Sequence, residues 1–153
     1  MVAELFFIGR LLISAFFGGL IGIERQMHGK PAGLRTHIFV CIGATLFTLV
    51  SLSIGADVAS QTDVSRVAAG VVTGIGFLAA GTIFREKDTV LGLTTAAELW
   101  VVAAIGLSVG IGYYFLAAVS TAIVLSVLIL GRIIDSYIGE MLAKKGKKPK
   151  DNG

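Results

Sequence analysis

Only one cysteine occurs among the 153 residues. Cys41 therefore cannot close an intrachain disulfide and carries no information about redox compartment. It lies inside an apolar run, where a small buried thiol is expected. Histidine is nearly as scarce. His28 and His37 share one loop region, and no H-E-x-x-H pair is present. A serine elbow and a Walker-type phosphate loop are missing as well. The familiar hydrolase, metalloprotease, thiol and nucleotide-cleaving chemistries therefore have no foothold. No enzymatic activity and no cofactor are expected. Charge is sparse too, with 15% of residues charged and a formal net charge of +3. Five of the thirteen basic residues are lysines in the last ten positions, and the rest of the chain is nearly balanced. That pattern provides no basic surface for nucleic acid.

What the chain has in abundance is apolar sequence. Its hydrophobic fraction is 55% and its mean hydropathy +0.87, values of an integral membrane protein of one domain. The central stretch is Arg66–Trp100. It opens with 18 uncharged residues, Val67–Phe84, enough as a helix to cross most of a hydrocarbon layer about 30 Å thick. Gly70, Gly74 and Gly81 fall within it. In lipid, a glycine stripe lets a neighbouring backbone approach closely. The stripe either serves packing alone or also keeps a narrow passage open. Beyond it, Thr95-Ala-Ala-Glu98 has the spacing of a capping box, so a helix is expected to start near Thr95.

Four further apolar helices are expected. The run Leu5–Ile23 lacks lysine in its leading segment and a small-residue cleavage site after it, so it reads as a retained helix rather than a signal peptide. Gly18 and Gly22 give it a GxxxG pair for packing. Arg10 inside it either snorkels to the near surface or pairs with a carboxylate in the bundle. A polar loop, Glu24–His37, leads to a second run at Ile38–Ile54. Asp63 is placed to cap the third helix. The fourth runs from about Thr95 to Gly110, and the fifth from Tyr113 to Leu130.

The fold class is thus all-α, a polytopic membrane protein of five transmembrane helices. Residues 1–131 form the transmembrane domain. Residues 132–153 form a cytoplasmic amphipathic extension with a lysine-rich tail, which either marks topology or also binds anionic lipid. Eleven lysines and arginines fall on one side of the five spans. By the positive-inside rule the N-terminus is outside and the C-terminus inside. Gly33-Leu34-x-Thr36 recurs as Gly92-Leu93-x-Thr95, 59 positions on. Duplication would make these parallel two-helix repeats about an axis along the membrane normal. Chance similarity of two glycine-rich hairpins explains the match equally well.

Chemistry concentrates at the cytoplasmic edge. Glu24 and Arg25 end the first helix, and Arg35, Thr36 and His37 open the second. Arg85 ends the third, while Thr94, Thr95 and Glu98 open the fourth. Arg66 stands at the opposite edge. In a compact bundle the four cytoplasmic ends converge on one polar mouth. Glu24 and Glu98 are then candidate oxygen ligands for a hard divalent cation such as Mg2+. The same arginines can instead neutralise both glutamates as a salt-bridge belt, or receive an anion or a partner. His37, with an unperturbed pKa near ~6.5, is either an acid sensor or an interfacial side chain.

Several strings, in order over about residues 5–131, resemble the MgtC/SapB family of bacterial membrane proteins. They are Arg10-Leu-Leu…Gly18…Gly22-Ile-Glu24-Arg25, Ala32-Gly33-Leu34-Arg35-Thr36-His37, Gly74-Ile-Gly76-Phe77-Leu78 and Gly92-Leu93-Thr94-Thr95-Ala96-Ala97. The resemblance implies a multi-pass protein of the bacterial inner membrane, surrounded by the lipid bilayer. It also implies a role in adaptation to magnesium limitation or acid stress, exerted by modulating a membrane partner, with the ATP synthase the partner in the family's best-studied branch. An oligomeric magnesium or cation transporter is the alternative, and a homo-oligomer is expected. This chain has Ala79-Ala80-Gly81 where the family usually has Gly-Ala-Gly, and it shows no sequence for the soluble C-terminal domain found in many members.

Overall fold

The structure is a computed structural model that describes residues 2–57 and 65–146. The elements run α1 (Val2–Met27), α2 (Leu34–Asp57), α3 (Ser65–Ala80), β1 (Phe84–Glu86), β2 (Thr89–Leu91), α4 (Leu93–Ile111) and α5 (Tyr114–Gly146). Among the described residues, four helices are long and apolar enough to cross a membrane: Glu4–Met27, Leu34–Ile54, Leu93–Ile111 and Tyr114–Leu142. The fifth, α3, has 16 residues and rises about 24 Å, short of the ~30 Å hydrocarbon layer. The expected capping role of Asp63 and the end of the lysine tail lie outside the described residues.

α3 stops four residues earlier than the uncharged run because the chain tightens there. The amides of Thr82 and Ile83 bond back three residues to Ala79 and Ala80, and Thr82 Oγ1 donates to the Ala79 carbonyl at 2.7 Å. The next residues pair as an antiparallel hairpin in the register Phe84↔Leu91, Arg85↔Val90 and Glu86↔Thr89. The turn places Lys87 at φ 52°. The charged residues between the third and fourth helices thus lie on a hairpin of two three-residue strands.

The hairpin also explains why the expected capping box does not form. Gly92 follows β2 in the left-handed region, φ 88°, and serves as the N-cap of α4 without any side-chain cap bond. A Cβ on Gly92 would lie 1.8 Å from the Thr82 carbonyl oxygen, so only glycine fits. The helix therefore begins at Leu93. Thr95 becomes an interior, buried position, and Glu98 is free to reach another helix.

α4 is the hub. It packs against α1, α2, α3 and α5, and nine of its 19 residues are buried. The main core joins Ile21 of α1, Cys41 of α2, Val102, Ile105 and Val109 of α4, and Ala117 and Leu128 of α5. Two glycine pairs clamp α2 between its neighbours. On the α1 side, a Cβ at Gly18 would stand 2.7 Å from the His37 carbonyl oxygen, and one at Gly22 2.7 Å from Leu34 Cα. On the α4 side, a Cβ at Gly106 would stand 2.3 Å from the Cys41 carbonyl oxygen, and one at Gly110 2.5 Å from Thr48 Cβ. Thr45 Oγ1 completes the clamp by donating to the Gly106 carbonyl at 2.8 Å.

The expected packing of Gly70 and Gly74 needs correcting. An added Cβ at either meets nothing within 4 Å. α3 seats Ile75 and Ala79 in the core, which turns its glycine face the other way. That face lines an apolar groove of about 740 Å³ shared with Phe39, Gly43 and Phe47 of α2. Gly81 belongs to the tightened turn, where its Cβ would come 3.2 Å from the Leu78 carbonyl.

Among the described residues Arg10 pairs with no carboxylate; it reaches the near end of the bundle, where α4 gives way to α5. Its Nη1 donates to the Gly110 carbonyl at 2.6 Å and its Nε to the Tyr114 hydroxyl at 3.2 Å. A cation there completes the unpaired carbonyls at the C-terminal end of α4 and complements its dipole.

The two kinds of glycine predict opposite mutational responses. Gly106→Ala forces a methyl into the α2 backbone and should cost about 1–3 kcal/mol, the usual penalty of overpacking. Gly74→Ala should be neutral or slightly stabilising. Thermal unfolding in detergent, followed by folded yield, measures both, and similar losses at the two sites would contradict the clamp.

Candidate functional site

Three helix ends meet where α1 finishes and α2 and α4 begin. The register set by the glycine clamp brings Glu24, Arg25, His37, Thr95 and Glu98 to one place, all buried. Arg25 lies between the two carboxylates. Its Nε is 2.7 Å from Glu98 Oε2, and its Nη1 is 3.6 Å from Glu24 Oε2. The other oxygen of Glu24 is held from outside. Arg132 Nη2, from α5, donates to Oε1 at 2.6 Å, and His28 Nδ1 lies 3.3 Å away. His28 Nδ1 also donates to the Glu24 carbonyl at 2.6 Å, while its Nε2 accepts from Arg132 Nη1. His37 Nδ1 donates to the Gly33 carbonyl at 2.9 Å, which aims Nε2 toward Glu98 Oε2 at 3.9 Å. That gap is too long for a direct hydrogen bond.

The electrostatic logic is plain. Two carboxylates face two guanidinium groups, so the cluster is close to neutral. A lone buried charge would be prohibitive, and pairing is what permits these residues to sit inside. Hydrogen bonding is not complete, however. Glu24 Oε2, Arg25 Nε, His37 Nε2 and both oxygens of Glu98 are buried without a well-formed hydrogen bond, although Arg25 Nε is close enough to Glu98 for strong ionic attraction. Buried polar groups are rarely left this way. Among the described residues, no group of three or more His, Cys, Asp or Glu side chains is arranged to hold a metal ion.

A cavity of about 810 Å³ opens beside the cluster, with Glu24, Arg25, Lys30, Arg132 and Asp135 on its wall and the hairpin residue Val90 across from them. Thr94 and Thr95 also line it. The remaining expected site residues stand apart. Arg35 and Thr36 are exposed on the first turn of α2. Arg85 lies on the hairpin, where its Nε donates to the Lys87 carbonyl at 3.0 Å. Arg66 is at the far end of the bundle on the apolar groove. Two members of the cluster, His28 and Arg132, were not singled out from the sequence. Arg132 was legible in principle: it stands one helical turn beyond Leu128, which faces the core.

Apolar helices of spanning length, clamped by glycines and closed at one end by paired charges, define a helical membrane protein. Within that class, the chain belongs to the MgtC family, whose family model matches residues 11–137. It is 49% identical over 132 residues to YhiD of Escherichia coli (strain K12), whose name proposes a magnesium transporter, with 84% of this chain and 60% of that protein covered. It is 47% identical over 136 residues to Protein MgtC of Brucella abortus (strain 2308), covering 88% of this chain and 56% of the other. Against Protein MgtC of Salmonella typhimurium (strain 14028s / SGSC 2262) it is 41% identical over 143 residues, covering 93% and 60%. The chain thus spans 56–60% of the length of these relatives. No solved structure matches it.

Arg25 and Arg132 should differ sharply on mutation. Arg25→Gln leaves Glu98 buried without its cation, a situation that costs about 3–5 kcal/mol. Arg132 is 44% exposed, so Arg132→Gln should cost no more than about 1 kcal/mol. Unfolding of both variants in the same detergent tests this, and an Arg25→Gln protein as stable as the parent would show that the pair contributes nothing.

Proposed function

We propose that this chain is a multi-pass protein of the bacterial inner membrane that serves magnesium homeostasis, under magnesium limitation or acid stress, by modulating a membrane partner rather than by catalysing a reaction. The family's names point to magnesium. The closed interior supports modulation over conduction. Beyond the charge cluster the core is apolar, formed by Ile21, Cys41, Val102, Ile105 and Val109, and the glycine clamp puts backbone against backbone there. A hydrated cation entering beside Glu98 would meet that wall. The partner implied by the family resemblance is the ATP synthase.

The proposal includes five spans, with the N-terminus outside and the C-terminus inside. What supports α3 as one of them is its seating in the core, with Ile75 packed in a cluster with Ala44 and Ala103 and Ala79 in one with Ala32 and Leu99. Arg25, Lys30, Arg35, Arg85, Lys87 and Arg132 lie at the cluster end, and Arg10 and Arg66 at the other, a bias that favours the cluster end as cytoplasmic. The two Gly-Leu-x-Thr strings also fit a duplication, since Leu34 and Leu93 each begin a helix.

A second reading, an oligomeric magnesium or cation transporter, draws on the unbonded oxygens of Glu24 and Glu98. Arg25 would have to leave its place between them for a divalent cation to take it, because hard cations want oxygen ligands and no adjacent cation.

Purified protein in liposomes separates the two readings. The proposal expects no flux of magnesium or protons above empty liposomes, together with retention of a membrane complex on co-purification from native membranes. Flux by the purified chain alone would reverse the order. Topology has its own test in whole cells. A cysteine at Tyr113 should react with an impermeant thiol reagent, and one at Asp88 should not.

A further inference from the structure

The cavity beside the charge cluster contains hydrogen-bond donors that the cluster does not use. Its wall includes Leu93, Thr94 and Thr95, the first three residues of α4. The first bond of that helix runs from the Ala96 amide to the Gly92 carbonyl at 2.9 Å. The amides of Leu93, Thr94 and Thr95 therefore have no helical partner. Gly92, the N-cap, makes no side-chain cap bond to them. They stand at the head of a 19-residue helix, where partial positive charge collects.

Free amides occur at the head of any helix, and Thr95 sets this one apart. It is 2% exposed and lines the cavity, yet its hydroxyl makes no hydrogen bond among the described residues. The other three buried threonines differ. Thr45, Thr48 and Thr121 each donate to a backbone carbonyl at 2.8 Å. Thr48 and Thr121 use the carbonyl four residues back, the common outlet for a hydroxyl inside a helix. Four residues before Thr95 stands Leu91, which belongs to β2 and not to the helix. That outlet is missing. A buried hydroxyl is rarely left unbonded, and the space it borders is the cavity.

The charges on the wall select the guest. Arg25 and Arg132 are already paired with Glu98 and Glu24, and Glu24 is held from both sides. Lys30 is the lining cation with no ion pair among the described residues, and Asp135 the lining carboxylate with none. Both are exposed. Unpaired amides, a hydroxyl and an ammonium together suit an oxyanion, as at other helix N-termini. The rest of the wall is apolar and includes Phe84, Leu91, Val127 and Leu128. A volume of about 810 Å³ admits a whole small molecule, or a lipid headgroup with the start of its chains. The cavity lies where α1 ends and α4 begins, which on the membrane reading is the level of the lipid headgroups.

We propose that this cavity binds a phosphate group. Its oxygens accept from the amides of Leu93, Thr94 and Thr95 and from the Thr95 hydroxyl, and Lys30 balances its charge. The site is independent of the magnesium reading and of which side is cytoplasmic. Such a group comes either from a phospholipid headgroup or from free phosphate, and the two sources separate on titration.

The full chain, purified in detergent and stripped of lipid, is titrated with two probes while its unfolding temperature is followed. One is inorganic phosphate against chloride at equal ionic strength. The other is phosphatidic acid against diacylglycerol of the same acyl chains. A ligand of the folded state raises the unfolding temperature. A response to phosphatidic acid alone identifies a lipid source, one to inorganic phosphate alone a free anion, and one to both shows that the phosphate group suffices; each supports the site. Lys30→Gln should weaken apparent affinity about ten-fold or more, the loss of one charge-assisted bond. Thr95→Val should weaken it at least about three-fold while the unliganded protein stays as stable as the parent, because that hydroxyl has no partner to lose. Asp135→Asn removes a like charge and should not weaken binding. No shift with either probe, or an equal shift with diacylglycerol, would overturn the proposal. So would parental affinity in either Lys30→Gln or Thr95→Val, or weaker binding by Asp135→Asn. Should Thr95→Val fail to fold, the two exposed positions still decide the outcome.

Discussion

A buried guanidinium between two buried carboxylates is the constraint on which the rest of this structure depends. Arg25 and Glu24 come from the end of α1 and Glu98 from the second turn of α4. None of the three could be buried alone, since an isolated charge in an apolar setting costs far more than a small bundle's whole stability. Their pairing therefore fixes the relative depth of α1 and α4. Arg132 adds α5 to the same level, and His37, bonded to the Gly33 carbonyl, adds the start of α2. At the opposite end Arg10 ties α1 to the last carbonyls of α4 and to Tyr114. Two polar girdles thus hold an apolar middle at fixed thickness.

Between the girdles, close approach replaces side-chain volume. α2 is held so tightly by Gly18, Gly22, Gly106 and Gly110 that any side chain at three of these positions would strike backbone, and at the fourth Thr48. Lipid provides no hydrophobic force to press helices together, so this van der Waals contact and the Thr45 bond to Gly106 carry the association. α3 is different in kind. It touches α4 and α2 along one face and leaves its glycines open to a groove. The bundle is therefore firm around α2 and α4 and accessible at α3 and along α5. Firm interior with open flanks suits a protein whose proposed work is done on a neighbour.

Much of this was legible in the sequence because membrane burial writes a simple pattern. The apolar runs gave α1, α2 and α4 to within a few residues and the start of α5, whose helix continues past the expected span to Gly146. Of the edge residues expected to converge, Glu24, Arg25, His37, Thr95 and Glu98 come together, whereas Arg35, Thr36 and Arg85 stand apart. Gly18 and Gly22, expected to pack, stand against the α2 backbone. The same rule misplaced Gly70 and Gly74 and overlooked Gly106 and Gly110, since a glycine stripe does not say whether anything lies opposite it. Which face of α3 turns inward was decided by Ile75 and Ala79, residues with no distinguishing sequence signal in so apolar a helix. The capping box at Thr95 failed for a related reason. A local motif was outweighed by a hairpin of three-residue strands, too short to announce itself, that delivered Gly92 in the left-handed conformation. Glu98 was thereby released to Arg25, a contact 73 positions apart in the chain, which no local spacing reveals.

The central claim is that the Arg25–Glu98 pair locks the bundle rather than merely occupying it. A double-mutant cycle measures that directly. Arg25→Gln, Glu98→Gln and the double variant would be unfolded alongside the parent in one detergent. If the pair is the lock, the double variant recovers stability relative to the sum of the two single losses, with a coupling energy at the upper end of the ~0.5–3 kcal/mol seen for contacting residues. Losses that simply add, within about 0.5 kcal/mol, would mean the two side chains do not depend on each other, and the account would fail at its foundation.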